Sequence, residues 1–335
     1  MSIENYPLAD HHSFKDYGTL HFLGDESRTD TPYMGFELEV DRDDETDITD
    51  MIKWIENHMP KQYFYFEEER CCEHGWENIS QPCSLSYYLS MRDRFKELFE
   101  YLIKNGMRSH DAKDCGFHIH LDRSFFGNRE DSSIAKLLYI FEKFRPELLV
   151  FSRRTMEKAN KWARSRKDEF KQQPWLSESI KHPYSSHYTA VNLTHTNTIE
   201  IRLWRGTLNL ETFMATLKFT ARLAVLCREV RAVDLAEMSF EDLLGDDTEI
   251  LSYWKRAKKK KDLTQMKFND LLKHIDEISV NELMDNLNKM DRDYLWDNID
   301  KISSDDLREK LLEKMFAYFS QKMSSSLNLT KENSL

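Results

Sequence analysis

Three short segments of this chain alternate apolar residues with residues that carry charge or metal-binding atoms, and together they restrict the fold more than any other feature. Met34-Gly35-Phe36-Glu37-Leu38-Glu39-Val40 places carboxylates at alternate positions. Phe117-His118-Ile119-His120-Leu121 does the same with imidazoles, and Ile199-Glu200-Ile201-Arg202-Leu203 with a carboxylate and a guanidinium. A period of two belongs to strands, whose successive side chains point to opposite faces, with residues i and i+2 roughly 6.6 Å apart on one side. Each segment therefore buries one face and offers the other to chemistry. Carboxylates at that spacing can share a cluster of divalent cations.

The rest of the chain arranges further strands and helices around these three. A strand over 33–40 leads through the acidic stretch Asp41 to Asp50 into a helix around 48–58. The aromatic run Tyr63-Phe64-Tyr65-Phe66 reads as extended and runs into Glu67-Glu68-Glu69. Residues 76–80 read as a strand, and Pro82, which lacks a main-chain donor, ends its ladder. From Leu89 to Lys104, apolar residues at Met91, Phe95, Leu98, Phe99 and Leu102 follow the helical period, with Asn105-Gly106 as a stop. The imidazole strand covers 116–121, and a helix from about Ser132 is interrupted at Pro146. Strands over 187–194 and 198–204 predict a hairpin across His195-Thr196-Asn197. Asn209 then caps a long helix, with Glu211 in its first turn facing the favourable end of the dipole.

This order predicts an α+β fold with four regions: a polar N-terminal segment over 1–30, a catalytic domain over 31–234, a helical, charge-rich C-terminal region over 235–322 and a disordered tail over 323–335. A chain of 335 residues is long enough for one large core or two. The formal net charge of −11 argues against broad binding to nucleic-acid phosphates, although a local basic patch stays open. No apolar run approaches the roughly 20 residues that span a bilayer, and Met1-Ser2-Ile3-Glu4-Asn5 lacks signal-peptide character, so a cytoplasmic protein without a membrane partner is expected. Five cysteines, two of them adjacent at Cys71-Cys72, fit reduced thiols better than a disulfide framework. With nine glycines in all, Gly-rich phosphate loops are effectively absent.

Mg²⁺ takes oxygen ligands, so a multi-metal site needs carboxylates gathered from several strands; Glu37, Glu39, Glu77 and Glu200 are the candidates. A half-exposed sheet face can carry such charges for solubility alone. Histidines and arginines at equivalent positions on the other strands favour a site. His118 and His120 have the i, i+2 spacing of cupin-type metal sites, with Cys115 as a soft ligand nearby. Arg202 and Arg205 can give paired hydrogen bonds to phosphate or carboxylate oxygens, or pair with neighbouring acids. The run from Arg153 to Arg166 reads as a solvated basic helix face, with contact to a polyanionic substrate as the alternative. Asp10-His11-His12 reads as part of a loose terminus.

Four blocks resemble the amidoligase family found in phages and bacteria, a branch of the glutamine synthetase and glutamate-cysteine ligase superfamily. They are Gly35-Phe36-Glu37-Leu38-Glu39, Gly75-Trp76-Glu77-Asn78-Ile79-Ser80-Gln81-Pro82, Cys115-Gly116-Phe117-His118-Ile119-His120, and Tyr188 to Leu193 together with Thr198 to Leu208. The resemblance covers about residues 31–230. One departure is Glu69-Arg70-Cys71-Cys72, where the family has an acidic D-G-S-L segment and an arginine here replaces the turn glycine.

The resemblance implies a curved antiparallel sheet of glutamine synthetase-like type packed with helices, and an ATP-dependent ligase joining a carboxylate to an amine through an acyl phosphate. It implies that Glu37, Glu39, Glu77, Glu200 and His118 hold Mg²⁺ or Mn²⁺, and that His120 and Asn192 face the ATP. Arg202 and Arg205 would stabilise phosphoryl transfer, with Glu200 and Arg202 serving twice. The substrates would be a small-molecule or peptide carboxylate and an amine, and a homo-oligomer stays open. Two competing readings remain: a cupin-like metalloenzyme using His118, His120 and a glutamate without ATP, and an inactive binding protein on the same fold, for which Arg70 is the best support.

Overall fold

The computed structural model describes residues 20–42, 48–68, 74–110, 112, 114–170, 174–184 and 186–265. Asp10-His11-His12, Glu69-Arg70-Cys71-Cys72, the C-terminal region beyond 265 and the tail expected over 323–335 lie outside the described residues. The chain divides into two compact units, Met1–Ala257 and Lys258–Leu335. The sheet and its candidate site belong to the first.

Strong alternation in the sequence does give strands. The sheet contains β1 (Tyr33–Val40), β2 (Phe64–Glu68), β3 (Trp76–Ser80), β4 (Cys83–Ser84), β5 (Phe117–Asp122), β6 (Val191–Asn192) and β7 (Thr198–Ile201). Its order is β2-β3-β1-β5-β7-β6, with β4 paired to the start of β1, and every pairing is antiparallel. Helices run between and after the strands: α1 (Thr49–His58), α2 (Leu85–Ser90), α3 (Arg92–Lys104), α4 (Glu130–Lys143), α5 (Arg145–Ser152), α6 (Met156–Trp162), α7 (Arg166–Glu169), α8 (Trp175–Lys181), α9 (Leu210–Glu229), α10 (Ala232–Glu237), α11 (Phe240–Leu244) and α12 (Thr248–Gln265). The fold is thus α+β around one antiparallel sheet.

One face of the sheet is the core. Met34, Phe36, Leu38, Val40, Phe117, Ile119, Ile199 and Ile201 are all buried, and α9 and α3 supply side chains against them. Phe213 of α9 is central, with its ring 5.2 Å from Phe36, 5.0 Å from Phe117 and 4.8 Å from Phe95. Such edge and offset contacts add to the burial of large apolar area. Asn209 caps α9 as its sequence predicts, its side chain accepting from Thr212 N at 2.9 Å.

Several boundaries differ from the periodicity. The helix expected over 89–104 is two helices, because Met91 leaves the helical conformation and Ser84 separately caps α2. Pro146 sits in the first turn of α5, where a missing N–H is tolerated, so the chain breaks at Phe144 instead. The expected strand 187–194 pairs only over Val191–Asn192. The boundary expected at 234/235 falls inside the first unit. Phe240 lies 5.8 Å from Phe144 and 5.9 Å from Phe219, and the Tyr253 hydroxyl donates to Phe151 O at 2.5 Å. The apolar stripes of these charge-rich helices bury in the same core. Among the described residues no helix is long and apolar enough to cross a membrane, and Cys83, Cys115 and Cys227 are buried free thiols.

Candidate functional site

The opposite face of the sheet collects the charged members of the alternation. Register places Glu37 across from His118, Glu39 from Glu77, and His120 from Glu200. Glu77 in turn faces Glu67 of β2, and Glu200 faces Asn192 of β6. Glu39, Glu67, Glu77 and Glu200 are each exposed by 5 % or less. Carboxylates this deeply buried are costly unless cations or hydrogen bonds compensate them.

Hydrogen bonds fix much of the cluster. His118 Nδ1 donates to Glu37 Oε2 at 3.1 Å, while His118 Nε2 stands 3.6 Å from Glu39 Oε1. The other Glu39 oxygen accepts from Gly116 N at 2.6 Å. His120 Nε2 lies 2.8 Å from Glu37 Oε1, and its Nδ1 lies 3.2 Å from Thr198 Oγ1. Glu200 accepts from Asn192 Nδ2 at 2.6 Å and from Arg202 Nη1 at 2.5 Å, with His195 Nε2 at 3.1 Å. Arg123 holds the β6–β7 hairpin in place by donating to Thr198 O and Leu193 O.

These contacts set the charges. Burial works against ionisation of Glu37, but the His120 charge and the hydrogen bonds from both histidines hold its carboxyl well below the usual range. Burial likewise opposes ionisation of Glu200, yet Arg202 foremost, with His195 and His120, brings it down to about 2. For His120, burial disfavours the imidazolium and Glu37 outweighs it, so the ring titrates above its ordinary value. Glu37 and Glu200 are therefore ionised carboxylates at neutral pH.

Two groups of three donors meet the distance requirement for a cation: Glu37, His118 and Glu200, and Glu39, Glu77 and His118, with the ligand atoms of each group within 4.8 Å of one another. Carboxylate oxygens with one imidazole suit Mn²⁺ and, with retained waters, Mg²⁺. The donor chemistry therefore fits. A neutral imidazole has one ring lone pair. With Nδ1–H given to Glu37, that lone pair is on Nε2, toward Glu39, which makes Glu39, Glu77 and His118 the better-prepared group and Glu37 the residue that orients the ring.

The sheet brings Glu37, Glu39, Glu77, His118, His120, Glu200, Arg202 and Asn192 to this one face. Asn192, expected on the nucleotide, bonds Glu200 and accepts from Thr194 N at 3.0 Å, so in this structure it holds a carboxylate in place. Arg205 lies apart, bridged to Gly116 through the main chain and donating to Arg153 O at 3.4 Å. Cys115 belongs to neither donor group. Three contributors are missing from the sequence-based expectations. Glu67 extends the acidic row, and the Tyr65/Glu67 alternation is the signal that could have shown it. His195 is expected only as part of a hairpin turn. Arg154 is expected on a solvated basic face, whereas it is 7 % exposed and donates to Leu203 O and Trp204 O at 3.0 and 3.1 Å. Arg166 is also buried and Lys158 pairs with Asp114, so that face is largely committed to the fold.

A family model described as a putative amidoligase enzyme matches residues 25–224, a span that contains all seven strands and every side chain of this face. No curated protein matches the chain.

Proposed function

The chain belongs to the amidoligase family, and from that premise we propose that it is an ATP-dependent ligase that joins a carboxylate to an amine. The observation that carries this reading is the pair of donor groups sharing His118 on a buried acidic sheet face. A polyphosphate brought against ionised carboxylates needs divalent cations between them, and Glu39, Glu77 and His118, with Glu37 and Glu200 beside them, would hold Mg²⁺ or Mn²⁺. When bound, the metal neutralises charge on phosphoryl oxygens. Kinship of the sheet with that of glutamine synthetase belongs to the same reading, as does a cytoplasmic setting.

The proposed chemistry has two steps. A substrate carboxylate oxygen bonds to the γ-phosphorus of ATP as the bond to the ADP oxygen breaks. The amine nitrogen then bonds to the acyl carbon, phosphate leaves with the electrons of the C–O bond, and the nitrogen gives up a proton. The chain's own residues position and stabilise these changes. Arg202, clamped on Glu200, offers its guanidinium to transferring phosphoryl oxygens, and Arg205 stands at the far side of Gly116 to do the same. His120 would face the nucleotide phosphates.

A cupin-type site would draw on both His118 and His120. Each donor group instead contains two carboxylates and one imidazole, and His120 is in neither. Purified protein incubated with ATP, Mg²⁺, candidate carboxylates and amines should release ADP and phosphate only when a matching pair is present. Carboxylate turnover without ATP, with a tightly held transition metal, would replace the ligase by the cupin reading.

A further inference from the structure

An open cavity of about 210 Å³ adjoins the acidic face, with Asp114, Cys115, Arg154, Thr155, Glu157, Lys158 and Arg205 in its lining. Gly116 stands between Arg154 of that lining and His118 of the face. A Cβ at that residue would collide with His118 Nε2 and lie 3.1 Å from Arg154 Nη2, so imidazole and guanidinium flank a space too small for one methyl group. Arg154 of the cavity wall is therefore a near neighbour of His118 in the Glu39–Glu77–His118 group.

Arg154 points to what the cavity takes. It is 7 % exposed, and its hydrogen bonds go to the neutral main-chain carbonyls of Leu203 and Trp204. Among the described residues it forms no ion pair. Burial brings its guanidinium down to about 10 against the opposing pull of Glu39, which leaves it charged at neutral pH. A buried cation without a bonded counter-charge, lining a cavity, calls for an anionic ligand.

We propose that this cavity is the subsite for the substrate carboxylate, an amino acid or peptide acid held by Arg154 and Arg205 with an oxygen turned toward the Glu39–Glu77–His118 group. The assignment rests on the ligase reading for the role of that carboxylate, and on the cavity alone for its binding. Planar guanidinium groups match a carboxylate through paired hydrogen bonds. A polyphosphate fits less well, because Asp114 pairs with Lys158 on the same wall and Glu157 adds a further negative charge to the lining. The subsite therefore takes the acid component, and the amine approaches from elsewhere.

The test is calorimetry without nucleotide, using free L-amino acids and dipeptides, each beside its C-terminal amide. At least one acid should bind while its amide does not. Arg154→Met should weaken that acid at least tenfold, and because Arg154 also holds two main-chain carbonyls, Arg205→Gln is measured alongside and should do the same. Arg154→Met should bind ATP with Mg²⁺ as wild type does. The proposal is overturned if no acid binds more tightly than its amide, or if Arg154→Met loses affinity for ATP or inorganic phosphate and not for the acid. Wild-type protein that binds the acid through Arg154 but never binds ATP would keep the subsite and remove the ligase reading.

Discussion

His118 gives its Nδ1–H to Glu37 at 3.1 Å and turns Nε2 toward Glu39 at 3.6 Å, so one imidazole is tied between two carboxylates of a single strand. The bond to Glu37 turns Nδ1 toward one carboxylate and leaves Nε2 to face the other. It also separates the roles of two glutamates that the sequence presents as equivalent.

Glu37→Gln should weaken divalent-cation binding by about 10–100-fold, the usual effect of losing a residue that orients a histidine ligand. Glu39→Ala or Glu77→Ala should remove binding at the Glu39–Glu77–His118 position altogether. Mn²⁺ titration followed by electron paramagnetic resonance distinguishes them. Equal loss in all three variants would make Glu37 a direct ligand.

Gly116→Ala should leave a folded protein that no longer binds the cation well. Its Cβ would collide with His118 Nε2, and relief requires the imidazole or Arg154 to move. Overpacking of this kind costs about 1–3 kcal/mol. A lowered melting temperature with an unchanged far-ultraviolet spectrum is expected, together with weaker Mn²⁺ binding. Full Mn²⁺ affinity in this variant would show that His118 has room to spare.

On the proposed ligase chemistry, Arg202→Lys should lower turnover by roughly a hundred- to a thousandfold, about 3 to 4 kcal/mol in the barrier, because a lysine cannot reproduce a fork that holds Glu200 and would reach a phosphoryl oxygen as well. The loss should fall on kcat more than on ATP affinity. Near wild-type kcat would confine Arg202 to its ion pair with Glu200.

Strand parity makes most of this site legible in the sequence. Glu37, Glu39, Glu77, His118, His120, Glu200 and Arg202 sit on one face because a period of two leaves no alternative once the core face is apolar. Side chains that reach the site through long-range packing are not legible. Arg154 is buried by carbonyls 49 and 50 residues further along the chain, and nothing in a lysine- and arginine-rich run marks one member as internal. His195 reaches Glu200 only because the hairpin closes over Val191–Asn192 and not over the longer strand its composition suggests. The membership of α10, α11 and the start of α12 in the first unit is hidden for a similar reason. Their apolar stripes are narrow, and only the positions of Phe144, Phe219 and Phe151 show what those stripes cover.

Acid should loosen the attachment of α12. Arg92 of α3 meets Glu249 at 2.7 Å, and Lys218 of α9 meets Asp247 and Glu249 at 2.9 and 3.0 Å. Burial is the largest single influence and opposes ionisation of both acids, but the hydrogen bonds from Arg92 and Lys218 to Glu249 and from Lys218 to Asp247, with the charges behind them, together outweigh it and hold both carboxyls below their ordinary values. A depressed carboxyl contributes stability that is full above its unfolded value and lost as pH falls through the folded one. Arg92→Met should therefore cost about 0.2–1 kcal/mol at pH 7, as expected for a partly exposed pair. The difference from wild type should vanish once both acids are protonated. Urea melts at pH 7 and well below pH 4 provide the comparison, and a difference that persisted in acid would assign the effect to packing of the Arg92 stem.

The most direct measurement is calorimetric titration of the protein with ATP in Mg²⁺, repeated after EDTA and with Glu39→Ala. The acidic face cannot accept a polyphosphate without divalent cations between them. ATP should bind in Mg²⁺, and binding should disappear both on chelation and in the Glu39 variant while that variant stays folded. ATP binding that survived EDTA and the loss of Glu39 would contradict the assignment of this sheet face as the metal and nucleotide site.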